Sequence, residues 1–287
     1  LKGLTRLPPK NDDPEPEWRE GAGSRAAVFS FFVLTFTWAW GLGFLAMQAK
    51  VWSAPLGTAL MIAAGFGPSL SGLLVVRVFS SGKGLQDWLA RCLKWRLPWA
   101  WYVGAFLAPP ALMLCALALH RAWGGAMPSS SVIEHIPMAI ANFALVLLVG
   151  GPLGEEFGWR GYAMPALTGW MRWRTASLII GVVWGLWHLP LFYQTGSAQS
   201  QMPILIFMVN ILAGSVVFGW LFERTEGSVL PSILLHTSLN AWAGILAIIP
   251  SAVTGRPYAL VTGLLAAVAL GFLLCSDPKS DTERPLA

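Results

Sequence analysis

The stretch Thr175–Phe222, TASLIIGVVWGLWHLPLFYQTGSAQSQMPILIFMVNILAGSVVFGWLF, contains no Asp, Glu, Lys or Arg. A helix crosses the hydrocarbon core of a bilayer with about 20 residues, so this run is too long for one span. Its polar patch Gln194–Gln201 divides it into two apolar halves. We read it as two membrane helices joined by a polar loop. Strands of a membrane barrel would be about half as long and would alternate apolar with polar residues.

Working outward, charge-free runs precede it at Ala26–Ala49, Val51–Val76 and Leu97–His120 and follow it at Gly227–Gly255 and Pro257–Ser276, and a further apolar run, with Glu134 near its start, extends from about Val132 past Gly150. The expectation is an all-α polytopic membrane protein with about eight transmembrane helices. Composition agrees: 55% of residues are hydrophobic, 11% are charged and the mean hydropathy is +0.61. Soluble domains carry about 25% charged residues, so an ordinary soluble enzyme is excluded. So is a disordered chain. The three cysteines, Cys92, Cys115 and Cys275, are far apart, so neither a disulfide framework nor a thiolate zinc site is expected. The polar first 25 residues contain no apolar signal core, so no cleaved signal peptide is expected.

The net charge of +5 fits membrane topology better than nucleic-acid binding. With eight spans and the N-terminus inside, 16 of the 19 Lys and Arg residues fall on the inner side. That asymmetry predicts two cytoplasmic termini. The domain expectation is a polar cytoplasmic tail (1–25), one membrane-embedded domain (26–276) and a cytoplasmic C-terminal tail (277–287). Within it Leu85–Trp99, LQDWLARCLKWRLPW, reads equally as an interfacial amphipathic helix or as a basic loop. Gly67-Pro68 predicts a kink, Asn142 and Asn210 predict interhelical hydrogen bonds, and the 16 tryptophans read mostly as interfacial anchors.

Ionisable groups inside spans cost roughly 2.5–3.5 kcal/mol each on insertion scales and so point to function. Three clusters stand out. Glu155-Glu156-Phe157-Gly158-Trp159-Arg160 places Glu156 and Arg160 four apart, on one helix face, with Glu155 turned about 100° away. Upstream, Gly150-Gly151-Pro152 should loosen the chain and leave room near the carboxylates. Trp184-Gly185-Leu186-Trp187-His188 puts a histidine in the fifth span. His236-Thr237-Ser238-Leu239-Asn240 puts His and Asn on one face of the seventh. Glu155 and His188 are equidistant from the basic turn Trp170–Arg174, so an antiparallel hairpin sets them at equal depth. This requires the fourth helix to continue past Arg160 despite Gly161 and Pro165.

Such groups in a water-poor site suit hydrolysis. A desolvated Glu serves as general base, His orients the same water, and His plus Asn donate to an oxyanion. The same residues support a second reading, in which Glu155, His188 and His236 ligate a catalytic Zn2+ with an open water position. The HExxH zinc-protease signature is absent.

EEFGWRGY, WGLWHLP and HTSLN resemble the three motifs of the CPBP family, also called Abi. This family groups the CAAX prenyl endopeptidases with bacteriocin-processing and immunity proteins. Its Glu pair with Arg four later matches Glu155, Glu156 and Arg160. Its aromatic four before His matches Trp184 and His188, with Trp where Phe is usual. Its His with Asn or Asp four later matches His236 and Asn240. The resemblance implies an eight-helix bundle with a cytosol-open cavity. It also implies an intramembrane endopeptidase in which Glu155 and His188 activate water, His236 and Asn240 stabilise the oxyanion, and Glu156 and Arg160 support the site. The partners it implies are membrane lipids and a membrane-associated peptide or protein substrate, at the plasma or inner membrane for a prokaryotic member. Two rival readings are a non-catalytic adaptor or immunity protein retaining the bundle, and a proton-coupled carrier using Glu155 and His188 as a relay.

Overall fold

A computed structural model describes residues 18–127, 136–149, 151–249 and 255–275, and the regular structure among them is helical. The helices are α1 (Trp18–Ala22), α2 (Arg25–Trp52), α3 (Ala54–Gly65), α4 (Gly67–Phe79), α5 (Gly82–Cys92), α6 (Trp99–Ala122) and α7 (Ile136–Val149). They continue as α8 (Pro152–Gly158), a π turn (Trp159–Ala163), α9 (Met164–Leu167), α10 (Trp173–Trp187), α11 (Leu189–Phe192), α12 (Ile204–Arg224), α13 (Leu230–Ile245) and α14 (Arg256–Leu274). Most of the two expected tails lies outside the described residues. The end of the first does not: α1 docks on the core with Trp18 fully buried.

Long apolar helices leave large hydrophobic side chains such as Phe29, Phe44, Leu107, Leu145 and Leu270 on the outer surface. Water would not tolerate so much exposed apolar surface, whereas lipid does. The chain is an integral, multi-pass membrane protein. Five segments are long and apolar enough to cross: Arg25–Val51, Trp99–Ala122, Met138–Leu167, Ile204–Arg224 and Arg256–Leu274. Helices α3 and α4, bent by 50° where Gly67-Pro68 predicted a kink, form a sixth candidate. By this measure the expected eight is not reached among the described residues. Helices α10 and α13, which carry the second and third motifs, run only 15 and 16 residues.

Helix α8 is the central element. It packs against α4 on one side and α13 on the other, while α10 packs on α12 and α13 on α6. Close approach to α4 comes from Gly154 and Gly158, four apart. A methyl on Gly154 would collide with the Gly65 carbonyl, and one on Gly158 with the Pro68 backbone. Small residues at this spacing are how membrane helices bring backbones together. Ser69 Oγ then donates to the Leu153 carbonyl at 2.8 Å, tying the bend of α4 to the start of α8.

The fourth span does continue past Arg160, through the π turn and α9. Pro165 has no N–H to offer the Gly161 carbonyl four residues earlier. Trp88 of α5 supplies the donor, its Nε1 lying 2.9 Å from that oxygen. Arg19 Nη2 donates to the Pro165 carbonyl at 2.8 Å, and Tyr162 Oη donates to the Ala22 carbonyl at 2.7 Å. Leu85–Trp99 is therefore helical over its first part, with Trp88 and Cys92 buried against the protein and Trp95 and Trp99 exposed. The tryptophan expectation needs correcting in the same way. Trp18, Trp88, Trp159, Trp184 and Trp187 are core residues, and of these Trp88 donates to a carbonyl of the irregular turn. Asn142 and Asn210 behave as expected, donating to the Ala241 carbonyl at 3.3 Å and to Thr262 Oγ1 at 3.0 Å.

Two tests follow from this packing. Gly158→Ala should cost about 1–3 kcal/mol by overpacking and lower the thermal midpoint in detergent micelles. An unchanged midpoint would show that α4 can step back. Burial pushes the Cys92 thiol up to about 12. In a Cys115→Ala, Cys275→Ala variant, maleimide should therefore leave Cys92 unlabelled at neutral pH and label it after denaturation.

Candidate active site

Glu156 and Arg160 share one face across the start of the π turn, as their spacing predicts. Arg160 Nη1 donates to Glu156 Oε1 at 3.2 Å, with both side chains sealed from solvent. The same oxygen accepts a hydrogen bond from His236 Nδ1 of α13 at 2.7 Å. The guanidinium lies over two aromatic faces, 4.2 Å from the Phe218 centroid and 4.6 Å from that of Trp184. Delocalised charge between rings is a favourable way to keep an arginine dry.

Adjacent Glu155 turns elsewhere. Trp184 Nε1 donates to its Oε2 at 2.5 Å. Its Oε1 lies over Gly151, where an added methyl would stand 2.6 Å away. Gly151 has a φ of +112°, a conformation that glycine adopts freely and side-chain-bearing residues do not. The expected loosening by Gly150-Gly151-Pro152 is visible at this residue, while Gly150 lies outside the described residues.

Helix α10 ends at His188, whose Nδ1 donates to the Trp184 carbonyl one turn back at 2.8 Å. In the neutral ring this leaves Nε2 as an acceptor. Glu155 and His188, expected at equal depth, both hydrogen-bond to Trp184. Its indole centroid lies 6.0 Å from the His188 ring and 5.6 Å from the His236 ring. The three sequence clusters therefore meet around one tryptophan.

Glu155, His188, His236 and Asn240 line a cavity of about 450 Å³. The rest of its wall is mainly apolar, with Met47, Met61, Leu112, Phe207 and Leu265, and with Gln194 and Tyr258 among the polar members. Glu156 and Arg160 do not reach it. The six motif residues thus divide into four that face the cavity and two that lie behind. Sequence reading missed the N–H of Trp184, which was valued only for bulk, and Phe218 beneath Arg160. No charge or motif marks Phe218. An indole beside a buried acid was the available signal for Trp184.

Among the described residues, no group of three or more His, Cys, Asp or Glu side chains is arranged to hold a metal ion. One oxygen of Glu155 is taken by Trp184, and Nδ1 of each histidine is engaged. Nε2 of each histidine and Oε1 of Glu155 remain, donors of the types that zinc takes, and a histidine that gives its other N–H to a carbonyl or carboxylate is oriented as metal-binding histidines are.

Residues 137–242 match the family described as type II CAAX prenyl endopeptidase Rce1-like, a segment that contains all six motif residues. A protein named CAAX prenyl protease 2, from Methanococcus maripaludis, is 29% identical over 182 residues. The aligned part covers 59% of this chain and 63% of that relative.

Removing Glu156 would strand a buried guanidinium. Glu156→Ala should therefore destabilise the protein by about 3–5 kcal/mol. Thermal unfolding in micelles should show that loss, while Glu155→Gln leaves the midpoint nearly unchanged. Equal midpoints for the two variants would remove the structural role assigned to Glu156.

Proposed function

We propose that the chain is a member of the CPBP family and acts as an intramembrane endopeptidase. Its substrate class is a membrane-associated peptide or protein. The observation that carries this reading is a buried carboxylate and two histidines lining one largely apolar cavity, each held by a hydrogen bond from behind.

Glu155 takes a proton from a water held between its carboxylate and His188 Nε2. The resulting hydroxide attacks the carbonyl carbon of the scissile peptide. The carbonyl π pair moves to oxygen, and Asn240 donates to that oxyanion through its carboxamide. With Nδ1–H given to Glu156, His236 joins as a donor only when Nε2 is also protonated. The proton held by Glu155 then passes to the amide nitrogen, the C–N bond breaks, and the acid and amine products leave. Preorganised donors at a developing oxyanion are among the larger contributions to such reactions. Prenylated CAAX proteins, the group to which the name of the Methanococcus maripaludis relative points, are one candidate substrate group. Unprenylated precursors and membrane proteins are the other.

The test compares peptide N-termini from membranes of cells carrying equal amounts of wild type or Glu155→Gln. New termini present with wild type and absent with the variant are expected, and they name the substrates. His188→Ala and His236→Ala should abolish the same cuts, and Asn240→Ala should slow them by roughly 10²–10³. Identical termini in wild type and Glu155→Gln would turn the assignment to the non-catalytic adaptor. Chelators should leave cleavage unchanged. Loss on chelation with recovery on Zn2+ addition would replace this mechanism with a metal-dependent one.

A further inference from the structure

Residue 184 holds both groups to which water activation is assigned. Its side chain donates to Glu155 Oε2 at 2.5 Å, and its main-chain carbonyl accepts from His188 Nδ1 at 2.8 Å. Any residue provides the second contact. Only a residue with a donor at the far edge of a large ring provides the first. A phenylalanine, usual here in the family that the motifs resemble, keeps the ring and loses the N–H.

The surroundings leave the indole little freedom. Trp184 is buried, with the Arg160 guanidinium over one part of it, the Phe218 ring 5.8 Å away at 85° and the His236 ring 5.6 Å away at 77°. Packing from several elements therefore fixes the direction in which Nε1 points. On the other side of the carboxylate, Oε1 occupies the space that a side chain at residue 151 would fill, and Gly151 leaves it open. The carboxylate is thus gripped at one oxygen while the other is left for water.

We infer that Trp184 is a positioning residue in this protein, acting through its indole N–H to orient the Glu155 carboxylate toward the water it deprotonates. This rests on the proposed hydrolytic role of Glu155. The residue contacts no reacting atom. Without the N–H, the carboxylate can rotate about its side-chain torsions, and the fraction of complexes with the base correctly placed falls. Reactions that depend on a near-attack geometry are sensitive to small displacements of the base.

The discriminating substitution replaces Trp184 by 3-benzothienylalanine, incorporated by codon suppression. Sulfur takes the place of N–H, and ring size and shape are kept. Trp184→Phe is the genetically simpler companion. Both are placed beside wild type and Glu155→Gln in the membrane N-terminus comparison. Cuts that depend on Glu155 should fall roughly 10- to 100-fold with the sulfur analogue, the range expected when a hydrogen bond to a charged group is lost. With purified protein and a synthetic peptide spanning the identified cut, the loss should lie in kcat with KM unchanged. The analogue should stay folded, with a thermal midpoint lowered by no more than about 10 °C. Glu155-dependent cuts that persist within about twofold in the analogue overturn the inference and leave the proposed function standing. A loss confined to KM also overturns it. If no cut depends on Glu155, the proposed function fails, and this inference fails with it.

Discussion

The Glu156 carboxylate is the interaction around which the site is built. One of its oxygens accepts from Arg160 on its own helix and from His236 on another, with no solvent to share the charge. A carboxylate and a guanidinium in a membrane interior are each prohibitive alone. Together, with two aromatic rings over the cation, they become tolerable and geometrically demanding. Because His236 is bound into this pair, the position of α13 relative to α8 is set by a charged contact as well as by packing.

That contact places conditions on the backbone. The chain from Glu156 to Arg160 must run helically into the π turn, and the turn must end where Pro165 interrupts the hydrogen-bond ladder. Indole and guanidinium donors from α5 and α1 then satisfy the carbonyls of this segment. The short N-terminal helix and the amphipathic α5 therefore belong to the core, although their sequences are polar or mixed. Glycines at 154 and 158 admit α4 on the remaining side. These elements hold the one irregular helix that carries both glutamates.

Much of this was legible in the sequence, because a membrane makes polar residues conspicuous. The i, i+4 spacing of Glu156 and Arg160 predicted their pairing, and the symmetry about Trp170–Arg174 predicted equal depth for Glu155 and His188, which share Trp184 as a partner. What the sequence concealed involves residues that hydropathy scores as ordinary membrane material. Trp184 and Phe218 count as apolar bulk, and only their orientation shows one as a donor and the other as a cation's neighbour. The lengths of individual spans were concealed for a related reason. Apolar runs continue through His188-Leu189-Pro190, where the helix breaks to turn its histidine into the cavity, so runs of composition overstate the length of α10. Glycine spacing on α8 was visible in the letters, but its meaning needed the partner backbone at Gly65 and Pro68.

Adjacent identical residues acquire different work from the helix they share. A rotation of about 100° separates Glu155 from Glu156. It points one carboxylate at a cavity wall with an indole donor and the other at an arginine and a histidine away from the cavity. The inner glutamate gives up its reactivity to fixed partners and thereby orients His236. The outer one keeps an oxygen uncommitted. A substitution that exchanged these environments would not exchange their roles, because the cation that neutralises Glu156 reaches only one face of the helix. The division follows from one helical step, and it shows how a paired-carboxylate motif can both anchor a fold and present a carboxylate to a cavity.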